Sequence, residues 1–164
     1  MTQPNAGTLF GHPKGLFLLF GTEMWERFGY YGMRALLVLY LVASVQDGGF
    51  GWTNAEALSL YGTFTMAVYL TPVIGGWLAD NFIGQRKAII IGGIIFSLGY
   101  FTLGIPKSML VGMEETVFYI GLTLIVIGNG LFKANVSSLV GDLYEDGDHR
   151  RDAAFTIFYM GINL

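Results

Sequence analysis

The sequence predicts an all-α polytopic membrane protein. Its 164 residues are 53% hydrophobic and only 13% charged, and the mean hydropathy is +0.54. Soluble domains carry roughly 25% charged residues, and a helix that crosses a bilayer needs about 20 mainly apolar residues in succession. Four segments meet that requirement, and a fifth begins. After an N-terminal segment at 1–14, helices are predicted at 15–45, 54–79, 87–105, 115–140 and 152–164.

Each predicted helix is an apolar run bounded by a polar or proline-containing stretch. The first runs into QDGGFGWTN, and the second is interrupted at Pro72. The third, KAIIIGGIIFSLGYFTLGI, ends before Pro106, and the fourth ends before YEDGDHRRD. The fifth, DAAFTIFYMGINL, is still helical in pattern at Leu164, so we expect it to be truncated there.

The loops on the two sides of the predicted bundle differ in basic residues. One side carries Arg86 with Lys87 and Arg150 with Arg151, whereas the other has only Lys107. Lys and Arg are enriched in cytoplasmic loops. We therefore expect the N-terminus and the Arg86 and Arg150 loops in the cytoplasm, in a multi-pass protein of the bacterial inner membrane.

The composition disfavours several classes of function. A net charge of −3 without a polybasic block argues against a nucleic acid partner. Cysteine is absent, and His12 and His149 lie in polar stretches, so neither a metal site nor a cysteine nucleophile is expected. No segment combines a nucleophile with a base, so an enzyme is not expected either. The start MTQPNAGTLFGHPKG does not resemble a signal peptide.

The first helix contains a charged run, EMWERFGYYGMR, inside an otherwise apolar segment. At about 100° per residue, the polar side chains of this run all fall within about 80° of Glu23 around the helix axis, and so they share a face. They are Glu23, Glu26, Arg27, Tyr30, Tyr31 and Arg34. A charge at the bilayer centre costs at least about 2.5–3.5 kcal/mol. This face must therefore meet a polar cavity or polar partners.

Three other predicted helices also carry a polar face. On the second, Tyr69 belongs to a stripe spaced by three and four residues, and on the fourth Asn129 and Lys133 are one turn apart. On the fifth, Asn163 ends a similar stripe. The acids of the first helix are the only ones deep in an apolar segment, so we expect Lys133 to pair with them. Four polar faces predict an intramembrane cavity.

The residue types in this cavity suit a small anionic solute. The planar guanidinium of Arg34 matches a carboxylate, and the tyrosines offer rings with a polar tip for varied side chains. Glu23 and Glu26 could exchange a proton by trading ion-pair partners among the nearby cations. The residues alone predict proton-linked uptake of a small solute that bears a carboxylate.

Four motifs resemble the proton-dependent oligopeptide transporter family of the major facilitator superfamily. The run from Glu23 to Gly32, EMWERFGYYG, is similar to the family's ExxER motif and the YYG that follows it on the first helix. TPVIGGWLADNFIGQRK resembles the superfamily's loop between helices two and three, with Asp80, Gly84 and Arg86 at the motif positions. GNGLFKANVSSLVGDLY and FYMGINL resemble the motifs of helices four and five.

The resemblance implies a major facilitator fold, of which this chain holds most of the N-terminal six-helix bundle: four helices and the start of a fifth. A C-terminal bundle, missing from this chain, would complete the site. The implied proton-coupling residues are Glu23, Glu26, Arg27 and Lys133. The implied peptide-binding residues are Tyr30, Tyr31, Arg34, Tyr69, Lys133 and Asn163. The implied cytoplasmic gating loop contains Asp80, Gly84, Arg86 and Lys87.

The predicted function is a proton-coupled symporter that imports di- and tripeptides across the lipid bilayer by alternating access. Protons are the coupling ion, and no other cofactor is expected. One alternative is a transporter of the same family for another anionic solute such as nitrate, which the presence of the ExxER acids disfavours. The other is a non-transporting membrane scaffold, in which the charged stripe forms ion pairs between helices.

Overall fold

The computed structural model describes residues 7–163. These residues contain a two-stranded hairpin followed by five α-helices. The elements are β1 (Thr8–Leu9), β2 (His12–Pro13), α1 (Lys14–Val42), α2 (Asn54–Leu78), α3 (Gln85–Leu103), α4 (Glu114–Asp142) and α5 (Arg151–Asn163). The predicted all-α class is confirmed. The first six residues and the predicted helix end at Leu164 lie outside the described part of the chain.

The hairpin before α1 is a feature that the sequence patterns did not predict. Leu9 and His12 are antiparallel partners, so Phe10 and Gly11 form a two-residue turn. Both have positive φ, 50° and 80°, as a type I′ hairpin turn requires. The hairpin leads directly into α1.

The first helix ends at Val42 and not at the predicted Val45. Ser44 adopts an extended conformation with ψ 153°, and its hydroxyl accepts a hydrogen bond from the Asp47 N–H at 3.1 Å. Gly48, with φ 85°, then closes a short 3-10 turn. These local bonds of Ser and Asp compete with the helical pattern and stop the helix early.

A capping box begins α2. The Thr53 hydroxyl accepts from the Glu56 N–H at 3.3 Å, and the Glu56 carboxylate accepts from the Thr53 N–H at 2.9 Å. The helix continues through Pro72 and ends in one wider π-helical turn, Ala79–Ile83. Gly84 follows with φ 79°, a conformation that favours glycine, and α3 begins at the next residue.

The described residues form two compact units. The terminal unit comprises residues 7–33 and 136–163, and the central unit comprises residues 34–135. Both α1 and α4 contribute to each unit, since the unit boundaries fall within these helices.

In the central unit, glycines allow close approach of helices. A Cβ on Gly75 of α2 would overlap the backbone carbonyl of Gly130 on α4. A Cβ on Gly92 of α3 would lie 2.8 Å from the carbonyl oxygen of Gly128, also on α4. Small residues at such crossings are typical of membrane helix packing. Helix α4 therefore packs tightly against both α2 and α3.

The terminal unit has its own apolar core. Leu16 of α1 and Ala154 and Phe158 of α5 are fully buried. A Cβ on Gly161 of α5 would lie 2.9 Å from the ring of Phe20 on α1. Helix α5 therefore packs closely on the first half of α1.

Three helical stretches of the described chain are long and apolar enough to cross a membrane: Asn54–Ile83, Gln85–Leu103 and Glu114–Asp142. Helix α1 has 29 residues, but the charged run lies within it. Helix α5 is described over only 13 residues. The chain is part of a membrane protein.

Candidate functional site

Glu23, Glu26 and Arg27 form an acidic cluster on α1. Arg27 Nε donates to Glu23 Oε1 at 3.0 Å and lies 3.5 Å from Glu26 Oε2. Glu23 and Arg27 are one turn apart, the spacing at which helical side chains meet. Within α1, two carboxylates therefore share one guanidinium.

The acidic cluster is almost inaccessible to water. The side chains of Glu23, Glu26 and Arg27 are 3%, 4% and 13% exposed. Burying charged groups is unfavourable unless they are paired, and here one guanidinium contacts both carboxylates. The three side chains therefore form a buried ionisable cluster. Within residues 7–163, no group of three His, Asp or Glu side chains that could hold a metal ion is present.

Two tyrosines of the predicted polar face have different surroundings. Tyr30 is buried, with 1% of its surface exposed, whereas Tyr31 is about half exposed. The Tyr31 hydroxyl accepts from Arg27 Nη1 at 3.4 Å. Tyr31 therefore extends the acidic cluster towards the surface of the terminal unit, and Tyr30 belongs to the core.

Arg34, the last charge of the run, contacts Tyr61 of α2 in the central unit. Arg34 Nε donates to the Tyr61 hydroxyl at 2.9 Å, and Nη2 donates to the same oxygen. The guanidinium carbon also lies 5.2 Å from the centroid of the Tyr61 ring. These contacts hold the planar guanidinium in one orientation, and a preorganised donor fork binds a carboxylate at lower entropic cost.

Lys133 of α4 lies beside Tyr69 of α2. Its Nζ is 5.6 Å from the centroid of the Tyr69 ring, within reach of a cation–π interaction. The Arg34–Tyr61 and Lys133–Tyr69 pairs are together called the basic cluster. The expected pairing of Lys133 with the acids of α1 involves residues of both units and stays a prediction.

Two polar side chains, Asn135 of α4 and Thr71 of α2, form hydrogen bonds between these helices. Asn135 Nδ2 reaches the Gly75 carbonyl oxygen at 3.5 Å, and Thr71 Oγ1 donates to the Val126 carbonyl oxygen at 3.1 Å. Asn135 is almost fully buried. Buried side-chain bonds of this kind hold helices in register, so they keep the two members of the Lys133–Tyr69 pair together.

Asn163 lies at the described end of α5, where it lines an open groove of about 510 Å³. The other lining residues are Thr156, Tyr159 and Met160. Asn163 Nδ2 donates to the Tyr159 carbonyl oxygen at 2.8 Å. This hydrogen bond uses the amide nitrogen, so the amide oxygen of Asn163 is suited to accept a hydrogen bond from a ligand.

The predicted gating residues lie together around the turn between α2 and α3. Asp80 is in the π-helical turn, and Gly84 N–H donates to the Ala79 carbonyl oxygen at 2.8 Å. Arg86 and Lys87 occupy the first turn of α3, and both are exposed. Within the described chain, no ion pair joins Asp80 to either cation. All the charges of this turn remain accessible at the surface.

The POT family model matches residues 86–164 of the chain. The peptide transporter YePEPT of Yersinia enterocolitica is 48% identical over 161 residues, which are 98% of this chain and 31% of that protein. A di-/tripeptide transporter of Lactococcus lactis is 43% identical over 159 residues, 96% of this chain and 31% of that protein. A crystal structure of a mutant peptide transporter POT in complex with alafosfalin superposes with a TM-score of 0.89 at 49% identity, over 96% of this chain and 31% of that one. The chain belongs to the POT family.

The resemblance that the motifs predicted is thereby confirmed, and so is the major facilitator fold class. This POT family chain spans about a third of the length of the relatives it matches, at 31% of each.

Two residues of this POT family site were missed by the sequence reasoning. Tyr61 was not singled out, although it lies four residues before Thr65 and eight before Tyr69, on one side of α2. That spacing could have identified Tyr61 as part of the polar face of α2. Asn135 follows Lys133 by two residues, but nothing in the spacing showed that it would contact α2.

Proposed function

We propose that this chain is part of a proton-coupled symporter that imports di- and tripeptides by alternating access across the bacterial inner membrane. Membership of the POT family supports the class of protein, and the names of the two relatives support the class of substrate. The observation that carries the proposal is the buried acidic cluster, in which two carboxylates share one guanidinium inside a membrane protein.

The acidic cluster supplies the proton site in this proposal. Glu23 or Glu26 accepts the proton, and Arg27 stabilises the carboxylate that remains ionised. Lys133 completes the coupling set, since a cation that approaches the acids competes with the proton for them. Proton binding and the position of Lys133 are therefore linked.

The basic cluster supplies the peptide site. Arg34 and Lys133 bind the carboxylate of the peptide by charge-assisted hydrogen bonds, which are stronger than neutral ones. The proposed pocket for the remainder of the peptide is formed by Tyr30, Tyr31, Tyr69 and Asn163. Tyr31 and Tyr69 are exposed in this segment, so both can reach a ligand, whereas buried Tyr30 supports the pocket from behind.

The remaining proposals concern topology. Residues 15–164 form most of an N-terminal bundle, a C-terminal bundle completes the substrate site, and residues 1–14 lie in the cytoplasm. Asp80, Gly84, Arg86 and Lys87 form a cytoplasmic gating loop. Exposed charges on a turn with a fixed backbone suit a loop that makes and breaks contacts during transport.

The testing experiment is uptake of a labelled dipeptide by the full-length protein in liposomes, with and without an inward proton gradient. We expect gradient-dependent accumulation in the wild type and its loss in Lys133→Ala. The matched control is Lys14→Ala, which removes an exposed lysine at the start of α1, and it should accumulate dipeptide normally.

Absence of uptake by a well-folded wild type would contradict the proposal. Nitrate uptake in the same liposomes would then favour a transporter of another anionic solute. Absence of transport of either solute, with intact folding, would favour the scaffold.

A further inference from the structure

The N-terminal hairpin carries an apolar tip that the transport mechanism does not use. Phe10 is 85% exposed and Leu9 is 43% exposed. The aromatic ring of Phe10 lies beside the beginning of α1, where its centroid is 6.0 Å from that of Phe17. An exposed apolar patch of this kind marks an interaction surface or a membrane contact.

Phe10 is poorly suited to its backbone conformation. Its φ of 50° makes it the only residue other than glycine with positive φ in the described chain. Two-residue type I′ turns prefer Asn-Gly or Asp-Gly, and a bulky residue at positive φ is strained. The residue preference of the turn therefore does not explain why phenylalanine occupies this position. Strained residues of this kind cluster at functional sites.

Polar contacts fix the orientation of the hairpin within the terminal unit. His12 Nδ1 and the Tyr144 hydroxyl are 2.8 Å apart, and Arg150 Nη1 donates to the Gly11 carbonyl oxygen at 2.8 Å. Asp148 in turn holds Arg150, with Arg150 Nε donating to its carboxylate at 3.0 Å. The polar groups of the hairpin thus bind the α4–α5 loop, while its apolar tip is left exposed.

We propose that this tip, Leu9 with Phe10, inserts into the boundary between headgroups and acyl chains of the leaflet in which α1 begins. The tip precedes a helix of 29 residues, about 44 Å at 1.5 Å per residue and long enough to cross a hydrocarbon core of about 30 Å. Contact with Phe17 in the first turn of α1 places the Phe10 ring beside the start of that helix. The proposal depends on the chain being part of a membrane protein, not on peptide transport.

The test is spin-label accessibility in the full-length protein, reconstituted in liposomes of phosphatidylethanolamine and phosphatidylglycerol with all other cysteines replaced. The label is placed at Leu9→Cys, so that the Phe10 ring is retained. We expect high accessibility to oxygen and low accessibility to a water-soluble nickel chelate. The control label at His149→Cys, where the native side chain is 94% exposed, should be fully accessible to nickel.

A second variant tests whether the ring itself anchors the hairpin. Phe10→Asn suits the positive φ and so preserves the turn. In that background, nickel accessibility at the Leu9→Cys label should rise several-fold. Nickel accessibility equal to that of His149→Cys with the ring present would overturn the proposal, as would low accessibility to both quenchers, which indicates cover by protein. No change on Phe10→Asn would also overturn it.

Discussion

The acidic and basic clusters surround their charges with different partners. In the acidic cluster of the terminal unit, Arg27 lies 3.0 Å from Glu23 and 3.5 Å from Glu26, and all three side chains are nearly buried. In the basic cluster of the central unit, Arg34 donates to the hydroxyl of Tyr61, and Lys133 lies over the ring of Tyr69. One cluster balances charge within a single helix, and the other orients cations against phenols.

In the proposed function, the two clusters have separate tasks. A buried site in which two carboxylates share one guanidinium is suited to a proton, which binds without a large ligand having to enter. Cations that are oriented by phenols are suited to a carboxylate, which forms charge-assisted hydrogen bonds with them. The two tasks can therefore be separated by mutation.

The largest effect is expected for Glu26→Gln. The variant leaves the Glu23–Arg27 hydrogen bond in place and makes the acidic cluster neutral without a proton. Gradient-driven accumulation of dipeptide should fall by more than about tenfold, whereas exchange of labelled for unlabelled dipeptide without a gradient should persist. Both are measured in liposomes. Accumulation at the wild-type level would show that Glu26 does not carry the coupling proton.

The next largest effect is expected for Gly75→Ala, which tests the packing of α2 against α4 in the central unit. The new Cβ would overlap the Gly130 carbonyl, so α2 and α4 must move apart, at a cost of about 1–3 kcal/mol in stability. The matched control is Gly62→Ala, because a Cβ there meets nothing within 4 Å. Thermal unfolding in detergent should show a lower Tm for Gly75→Ala alone. Equal Tm values for Gly75→Ala and Gly62→Ala would contradict the close packing of α2 against α4.

A smaller effect is expected for Tyr61→Phe. Loss of the hydroxyl that accepts from Arg34 removes about 0.5–1.5 kcal/mol, so the affinity for dipeptide should fall by roughly two- to tenfold. Proton dependence of transport should not change, because the acidic cluster is untouched. Binding is measured by calorimetry, with Tyr119→Phe, an exposed tyrosine of α4, as control. A changed proton dependence of Tyr61→Phe, with normal affinity for dipeptide, would contradict the assignment of peptide binding to the basic cluster.

The smallest effect is expected at a partly exposed ion pair in the α4–α5 loop, Asp148 with Arg150. The Arg150 guanidinium lowers the pKa of Asp148 well below its usual range. The pair therefore stabilises the fold above the ordinary aspartate pKa of about 4, and the contribution is lost as the pH falls through the lower folded value. Asp148→Asn should lower Tm slightly at pH 7, and the difference should narrow below about pH 4. A difference in Tm that stays constant as the pH falls would contradict the stabilising role of this ion pair.

The sequence predicted the helices and the charged face well because both depend on local patterns. Long apolar runs predicted α1 to α5, and the spacing from Glu23 to Arg34 placed the charges on one side of α1. The contact of Arg34 with Tyr61 depends on how α1 packs against α2, which no single segment encodes. The hairpin was missed because its strands have two residues each, and Phe-Gly is not a typical turn pair.

The most direct test of the division of tasks is proton entry driven by dipeptide. Liposomes that hold the full-length protein and a pH-sensitive dye receive external dipeptide without a preset gradient. The wild type should acidify the interior, and Glu26→Gln should bind dipeptide with normal affinity but leave the internal pH unchanged. Acidification by Glu26→Gln at the wild-type rate would contradict the claim that the acidic cluster carries the transported proton.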